Sequence, residues 1–272
     1  MYQVDAFTDR PFRGNPAAVC LMDRRVDDDM LQAIAAENNL SETAFLWAEG
    51  GAAFHDAERF HLRWFTPTVE VPLCGHATLA TSAVIFHAMG YPRDEARFRS
   101  LSGELVARRR PEGILLDFPA DEVRPLEPPE GLLEAMGIED VVEVQFAERG
   151  RDIMVRVSSE ATVLGLQPDI RGMIVATRGM DVNGAMVTAE GAPPYDFVSR
   201  FFAPWLGVDE DPVTGAAHTV LTPYWSKELG KREMRAYQAS KRGGELIVVD
   251  AGDGRVNLVG QAVIVLEGRL RF

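Results

Sequence analysis

One seven-residue pattern occurs twice in the chain, first as Glu70-Val71-Pro72-Leu73-Cys74-Gly75-His76 and, 140 residues later, as Glu210-Asp211-Pro212-Val213-Thr214-Gly215-Ala216. In both copies a mostly apolar segment, typical of a buried helix, follows the glycine. Each helix is predicted to end at a second glycine, Gly90 or Gly230, because glycine adopts the left-handed C-cap conformation without a side-chain penalty. The pattern therefore predicts a repeated unit built around one buried helix.

Two further stretches repeat in the same order on either side of these helices. Arg63-Trp64-Phe65-Thr66-Pro67 matches Arg200-Phe201-Phe202-Ala203-Pro204, and each is predicted to be a short strand that stops at proline. After the helices, Gly103-Glu104-Leu105 matches Gly244-Glu245-Leu246 at the start of a predicted strand pair. Chance would explain any one of these matches, but their common order indicates an internal duplication.

The segment between the two copies, residues 119–129, is dense in proline and charge, which disfavours a helix or a central strand. We therefore predict an N-terminal half over residues 1–118, a linker over 119–129 and a C-terminal half over 130–272, with the last strand free to return to the first half. An amphipathic helix is predicted from Val26 to Leu40, followed by a strand from Thr43 to Trp47.

Strand-type runs outnumber helices, so the predicted fold class is α+β. We expect two pseudo-symmetric halves, each a curved, barrel-like and mostly antiparallel sheet around a central helix.

The composition limits the expected partners and location. A net charge of −13 over 272 residues argues against nucleic acid and anionic membrane surfaces, which leaves a small molecule as the expected partner. The two cysteines, Cys20 and Cys74, have no metal-ligand spacing, so neither a disulfide framework nor a structural zinc is expected. The start, Met1 to Phe7, lacks the features of an export signal, and the longest apolar run, Ala77 to Met89, is too short for a membrane span. A cytoplasmic protein is therefore expected.

The two glycine-led helix starts are candidate anion sites. The first backbone N–H groups of a helix are unpaired, and the helix dipole adds positive charge there. If the two halves face each other, the amides around Gly75-His76 and Gly215-Ala216 would converge on one carboxylate in a cleft. The alternative is that each glycine only lets its helix pack closely against its sheet.

Three ionisable residues accompany these features. Asp211 stands where the first copy has Val71, which indicates a role in one half only, although an exposed loop carboxylate would look the same. His76 lies in the first helical turn, where the dipole is expected to lower its pKa, and a structural histidine is the alternative. Glu42 precedes an apolar strand, where desolvation is expected to raise its pKa for acid–base catalysis; a solvated glutamate is the alternative.

Several common catalytic motifs do not occur in the sequence. There is no GxGxxG after a strand, no GxxxxGK[ST], no GxSxG and no HExxH. Nucleotide-binding, serine-hydrolase and zinc-protease functions are therefore disfavoured.

Seven motifs spread along the chain resemble those of one known family: Val4-Asp5-Ala6-Phe7-Thr8, Gly14-Asn15-Pro16-Ala17-Ala18-Val19, Ser41-Glu42-Thr43-Ala44-Phe45, Cys74-Gly75-His76-Ala77-Thr78, Ser199-Arg200-Phe201-Phe202-Ala203-Pro204, Glu210-Asp211-Pro212-Val213-Thr214-Gly215 and Gln238-Ala239-Ser240-Lys241-Arg242-Gly243-Gly244. The family is that of the PhzF-like proteins of phenazine biosynthesis, which are similar in fold to diaminopimelate epimerase. The resemblance covers nearly the whole chain.

The resemblance implies a cofactor-free isomerase without a bound metal, commonly a homodimer, whose halves close over a small carboxylate-bearing substrate. Glu42 matches the family's proton-carrying glutamate, and His76 and Asp211 match residues that assist proton movement and hold polar groups. Further positions that match substrate contacts are Asn15, Cys74, Gly75, Thr214, Gly215 and Ala216.

The chain departs from the phenazine enzyme at Ala216, where that enzyme has a serine. The missing hydroxyl removes a hydrogen bond to the substrate, at a cost of about one to a few kcal/mol if it is buried. The phenazine substrate itself is therefore not expected.

Two alternatives remain open. Related epimerases use a pair of cysteines; Cys74 matches the first and Thr214 the second, and a threonine hydroxyl is a poor base. A Cys74-dependent epimerase or dehydratase is thus one alternative, although Cys74 could simply be a buried packing residue. A catalytically inert binding protein is the other.

Overall fold

The computed structural model describes residues 1–271. Its strands are, in chain order, β1 Tyr2–Ala6, β2 Asn15–Leu21, β3 Glu42–Ala48, β4 Phe60–Phe65, β5 Glu70–Val71, β6 Glu95–Ser100, β7 Gly103–Arg110, β8 Gly113–Pro119, β9 Val123–Pro125, β10 Val141–Ala147, β11 Asp152–Val157, β12 Gly184–Glu190, β13 Phe197–Ala203, β14 Val208–Asp211, β15 Glu233–Gln238, β16 Gly244–Gly252, β17 Arg255–Gly260 and β18 Ala262–Glu267. Its helices are α1 Asp28–Asn38, α2 Gly75–Ala83, α3 Leu132–Met136, α4 Glu160–Gly165, α5 Ile170–Ala176 and α6 Gly215–Leu229. Within this part of the chain, no helix is long and apolar enough to cross a membrane.

The chain folds into two compact units, residues 1–118 with those from 257 onward, and residues 119–256. In the first unit, β18, β1 and β2 pair antiparallel, β2 and β3 parallel, β3 and β4 antiparallel, β4 and β6 parallel, and β6, β7 and β8 antiparallel. The second unit repeats this order: β9, β10 and β11 antiparallel, β11 and β12 parallel, β12 and β13 antiparallel, β13 and β15 parallel, β15 and β16 antiparallel. The predicted α+β class is confirmed, and the internal repeat is a repeat of topology.

The strand register follows the sequence repeat residue by residue. Trp64 pairs with Val71 in the first unit, and the matching residues Phe201 and Asp211 pair in the second. The second copy has three extra residues between these strands, and they are accommodated around the 3-10 turn Pro204–Leu206. The change in spacing between the matched motifs, from 137 residues at Arg63 and Arg200 to 140 at Glu70 and Glu210, therefore arises in this turn.

The two central helices begin at Gly75 and Gly215, as predicted, but they differ in regularity. The segment after Gly215 is α-helical for 15 residues and ends at Gly230, whose φ is 64°. The segment after Gly75 is α-helical for nine residues and continues as the π turn Val84–Ala88 before Gly90, whose φ is 61°. Hydroxyl groups in this first helix, on Thr78, Thr81 and Ser82, donate to carbonyls four residues earlier. Such bonds compete with the regular backbone hydrogen bonds of a helix, and three of them precede the π turn.

The segment predicted to be a linker, residues 119–129, packs within the second unit. It contains β9, which pairs with β10, and the backbone N–H of Asp121 donates to the carbonyl of Thr219 in α6 at 3.2 Å. Proline does not prevent this, because Pro125 ends a three-residue strand rather than interrupting a central one.

The amphipathic helix predicted from Val26 to Leu40 is α1. Its first turn begins after Asp27, whose carboxylate accepts a hydrogen bond from the N–H of Met30 at 2.8 Å. Its buried face consists of the residues expected from the pattern, Leu31, Ile34 and Ala35. The chain then leaves α1 and enters β3 at Glu42, so α1 fixes where that strand begins.

Candidate active site

Three chemically capable side chains meet at the N-terminal end of α2 in the first unit. Cys74 is the extended residue before the helix, and His76 lies in its first turn with 6% of its surface exposed. Glu42, the first residue of β3, reaches them from the neighbouring strand. We call these three residues the Glu42–Cys74–His76 cluster.

The imidazole of His76 lies between the other two members of the cluster. Its Nδ1 is 3.5 Å from Sγ of Cys74, and its Nε2 is 3.1 Å from Oε2 of Glu42. The second contact is close, but it is not aligned as a hydrogen bond, so Nε2 and Oε2 are both buried without a hydrogen-bond partner. Buried polar atoms are usually hydrogen-bonded, and a catalytic role is one explanation for those that are not.

The charges of this cluster oppose both pKa shifts expected from the sequence. Burial favours the neutral form of Glu42, yet His76 outweighs it and the pKa of Glu42 lies below its ordinary value. Burial also favours neutral His76, but the negative charge of Glu42, and that of Cys74 when it is ionised, raise the pKa of the imidazole well above its ordinary value. The expectations of a raised Glu42 pKa and a lowered His76 pKa are therefore wrong. Both shifts favour a carboxylate on Glu42 and an imidazolium on His76.

Cys74 remains a thiol at neutral pH. Burial, together with the negative charge of Glu42, raises its pKa above the ordinary value despite the nearby imidazole. Since the thiolate is the reactive form of cysteine, this environment does not activate Cys74.

The cluster offers ligand atoms to a metal ion, one from each residue, all within 4.8 Å of one another. However, the two ring nitrogens of His76 face different partners, one towards the thiol and the other towards the carboxylate. A single ion binds only one of these nitrogens, so metal binding would use only one of the two contacts that the imidazole makes. The arrangement fits proton transfer along the imidazole better than metal binding.

Asn15 lies in the strand next to Glu42. It is fully buried at the start of β2, and its Oδ1 accepts a hydrogen bond from the hydroxyl of Ser41 at 3.4 Å. Two residues further along the same strand, Ala17 pairs with Glu42. Gly14 precedes Asn15 with a φ of 63°, and a Cβ there would lie 2.1 Å from the carbonyl oxygen of Ala6. Only glycine fits this turn, which directs Asn15 into the first unit's interior.

In the second unit, Asp211 and Thr214 are joined in the turn between β14 and α6. The hydroxyl of Thr214 donates to Oδ2 of Asp211, and Thr214 is the extended residue before the helix. Gly215, the first helical residue, is buried, whereas Ala216 is exposed. The hydroxyl of Thr214 is therefore committed to a structural hydrogen bond, in keeping with its expected weakness as a base.

Gln238 was not singled out from the sequence as a site residue. It is completely buried at the end of β15, and its amide contacts both Asp211 and Thr214. The only signal for it was its place in the motif Gln238-Ala239-Ser240, because the contact joins residues that lie 24 or more positions apart.

The sequence profile described as phenazine biosynthesis-like protein matches residues 4–268 of the chain. The chain belongs to this family. It is 47% identical over 282 residues to the mouse phenazine biosynthesis-like domain-containing protein 1, covering 99% of this chain and 98% of that protein. It is also 47% identical over 272 residues to a Pseudomonas aeruginosa protein named as an uncharacterized isomerase, with 100% and 98% coverage.

Solved structures of the family share its fold. A PhzF-family protein from Enterococcus faecalis has a TM-score of 0.88 and 40% identity, covering 100% of this chain and 98% of that one. A predicted epimerase from Pseudomonas aeruginosa has a TM-score of 0.72 at 22% identity, covering 99% and 98%, so it shares the fold alone. The fold is therefore of the epimerase-like type inferred from the resemblance.

Proposed function

We propose that this protein is a cofactor-independent isomerase that moves a proton, and with it a double bond, within a small carboxylic acid. The observation that carries the proposal is the Glu42–His76 pair, in which Oε2 and Nε2 lie 3.1 Å apart, buried and without aligned hydrogen-bond partners. A substrate that enters supplies those partners. The isomerase name of the Pseudomonas aeruginosa relative supports an isomerase or epimerase type of activity.

The ionised form of the pair suits one-sided proton transfer. The Glu42 carboxylate takes a proton from a substrate carbon, so a C–H bond breaks and an O–H bond forms. The imidazolium of His76 donates a hydrogen bond to the negative charge that develops on the substrate. Glu42 then returns the proton to a different carbon, which restores the carboxylate and leaves the double bond displaced. No electrons are gained or lost overall.

Backbone amides provide a place for the substrate's own carboxylate. The first N–H groups of α2, at Gly75 and His76, have no partners within the helix and point out of its positive end. Asn15 is proposed as a further substrate contact in the same unit. In the second unit, Asp211 is proposed to hold polar groups of the substrate, and Thr214, Gly215 and Ala216 are proposed substrate contacts there.

The family resemblance also implies an oligomeric state and a cellular location. We propose that the protein is a homodimer, which light scattering coupled to size-exclusion chromatography measures directly. We also propose that it acts in the cytoplasm.

Solvent-deuterium exchange tests the proposed reaction even while the product is unidentified. The protein is incubated in D₂O with a panel of small unsaturated and amino carboxylic acids, and deuterium uptake into each acid is measured by mass spectrometry. We expect uptake with at least one acid, and loss of that uptake in Glu42→Gln, which keeps the shape but removes the base.

A matched control comes from Glu49→Gln. Oε1 of Glu49 lies 3.3 Å from Nε2 of His61 in the same unit and is likewise without an aligned hydrogen-bond partner, but this second pair is more exposed and Glu49 is also paired with Arg99. The control should exchange deuterium as the unmodified protein does. Undiminished exchange in Glu42→Gln would contradict the assignment of Glu42.

The Cys74-dependent epimerase or dehydratase is the second candidate, because Sγ of Cys74 lies 3.5 Å from Nδ1 of His76. The raised pKa of the thiol disfavours it. The inert binding protein is disfavoured by the placement of Glu42, whose side chain is 18% exposed and contacts His76 instead of lying in bulk solvent.

A further inference from the structure

The side-chain amide of Gln238 uses all of its hydrogen-bonding groups on one turn of the second unit. Its Oε1 accepts from the backbone N–H of Thr214 at 2.8 Å. Its Nε2 donates to the carbonyl of Asp211 at 2.9 Å and to the hydroxyl of Thr214 at 3.2 Å. The orientation of the amide is settled by chemistry, because an N–H must face an oxygen and a carbonyl must face an N–H.

These bonds form a directed chain that ends on Asp211. The amide nitrogen of Gln238 can only donate, so the hydroxyl of Thr214 accepts there and gives its single proton to Oδ2 of Asp211. Each bond in such a chain polarises the next, which strengthens the last one. Gln238 is therefore linked to the carboxylate of Asp211 through the hydroxyl of Thr214.

A comparison of the two units shows which contacts of this turn belong to the shared fold and which occur in the second unit alone. Ser240 donates to the carbonyl of Pro212 at 2.8 Å, and in the first unit Ser102 donates to the carbonyl of Pro72 at the same distance. This serine contact is common to both units, so it belongs to the shared fold.

Gln238 has no such counterpart in the first unit. The strand register aligns it with Ser100, since Phe98 pairs with Phe60 as Ala236 pairs with Phe197. The partners of Gln238 also differ between the two units: Asp211 replaces Val71 and Thr214 replaces Cys74. Gln238, Asp211 and Thr214 thus each differ from the matching residue of the first unit, and they are hydrogen-bonded to one another.

We propose that Gln238 is a positioning residue, which sets the conformation and hydrogen bonding of Asp211 through Thr214. The inference rests on the proposed role of Asp211 in holding the substrate's polar groups. The proposal predicts that Gln238 is needed because its side-chain N–H groups donate hydrogen bonds, and not because its side chain fills space.

Gln238→Glu tests this prediction, because the change preserves shape while an ionised carboxylate cannot donate. Above about pH 7 the variant should lose about 100-fold in kcat/KM, mainly through KM, as expected for a misplaced binding group. As the pH falls, the introduced carboxyl group, whose ionised form is disfavoured by complete burial, takes up a proton and again offers one donor beside its acceptor. The loss relative to the unmodified protein should then shrink. A loss that is the same at every pH would overturn the proposal.

Thr188→Val is the matched control for a purely structural effect. Thr188 is also fully buried in the second unit, and it joins Trp225 to the carbonyl of Val198 through its hydroxyl without contacting the turn. Its thermal midpoint should fall while kcat/KM stays within about twofold. Equal losses of kcat/KM in Thr188→Val and Gln238→Glu would show that Gln238 only stabilises the unit.

Amide hydrogen exchange distinguishes a failure of this inference from a failure of the proposed function. Segment 208–216 should exchange faster in Gln238→Glu at neutral pH and in Thr214→Val, but not in Thr188→Val. This result requires no activity. Unchanged exchange in both turn variants would refute the positioning role, whereas absence of deuterium uptake into any acid by the unmodified protein would refute only the proposed reaction.

Discussion

Gly184 occupies in β12 the register position that Glu42 occupies in β3. The next residues, Ala185 and Thr43, pair with the matching phenylalanines Phe202 and Phe65 of the repeat. On the other side, Gly184 pairs in parallel with Asp152, as Glu42 pairs with Ala17. The second unit therefore lacks the proposed base of the first and carries a carboxyl group one strand away.

Substitution of Gly184 should be destabilising, although its backbone is not in the left-handed region. A Cβ at this position would lie 2.3 Å from Cζ of the buried Phe201 and 2.8 Å from Oδ1 of Asp152. We expect Gly184→Ala to lower the free energy of unfolding by about 1–3 kcal/mol, as in other overpacked cores. Urea denaturation measures this change, with Gly165→Ala as the control for mutation at an uncrowded glycine whose backbone is also outside the left-handed region. Full stability in Gly184→Ala would show that Phe201 can move aside.

Asp152 should make the protein less stable as the pH rises. Burial, reinforced by the charge of Asp121, raises the pKa of Asp152 from 3.8 to about 7. Between these values the folded chain holds a proton that the unfolded chain has released, so stability falls with increasing pH. Asp152→Asn removes this effect, and it should raise the free energy of unfolding at pH 8 by up to about 4 kcal/mol.

The gain in Asp152→Asn should shrink as the pH falls and disappear below about pH 3, where Asp152 is largely protonated in both the folded and the unfolded state. Asp181→Asn, at an exposed residue paired with Arg151, is the control and should show no gain at pH 8. If Asp152→Asn were less stable than the unmodified protein at pH 8, burial would not be the dominant influence on this carboxylate, and the prediction would be wrong.

The pH dependence of turnover should reflect the Glu42–His76 pair. The pKa of the carboxyl group lies below 4.5 and that of the imidazole lies well above 6.5, and the active form requires an ionised Glu42 and a protonated His76. We expect kcat/KM to be flat around neutrality, to fall in acid below about pH 4.5, and to fall in alkali well above pH 6.5. Steady-state rates across the pH range measure both limbs. A rate that climbs through pH 9 would instead indicate a thiolate mechanism.

The two cysteines offer a direct comparison of the candidate functions. If Glu42 is the base, Cys74→Ser should lose less than about tenfold in kcat/KM, because the hydroxyl still fits beside His76. If Cys74 is the base, the loss should reach about 1,000-fold or more, since a hydroxyl is a far weaker acid than a thiol. Cys20→Ser is the control, because Cys20 lies in the core beside α1 and has no contact with the cluster. Deuterium uptake and turnover should be measured on the same preparations.

The duplicated topology was predictable from the sequence, whereas the site's electrostatics were not. Matches such as Gly75 with Gly215 arise because the same local backbone structure, here the start of a central helix, occurs in both halves. The pKa shifts of Glu42 and His76 depend on a 3.1 Å contact between residues 34 positions apart. The contacts of Gln238 and Asp152 are not predictable for the same reason, because the partners of Gln238 lie in the turn before α6 and that of Asp152 lies on a neighbouring strand, both far away in the sequence.

The crowding around Gly184 makes the divergence of the two halves hard to reverse. A single mutation that placed a carboxylate at 184 would meet the ring of Phe201 and the side chain of Asp152 before it reached any substrate. A variant with a base at this position would therefore have to pass through destabilised intermediates. A laboratory effort to convert this enzyme into a racemase should therefore begin by shrinking Phe201 and neutralising Asp152, and only then introduce a second base.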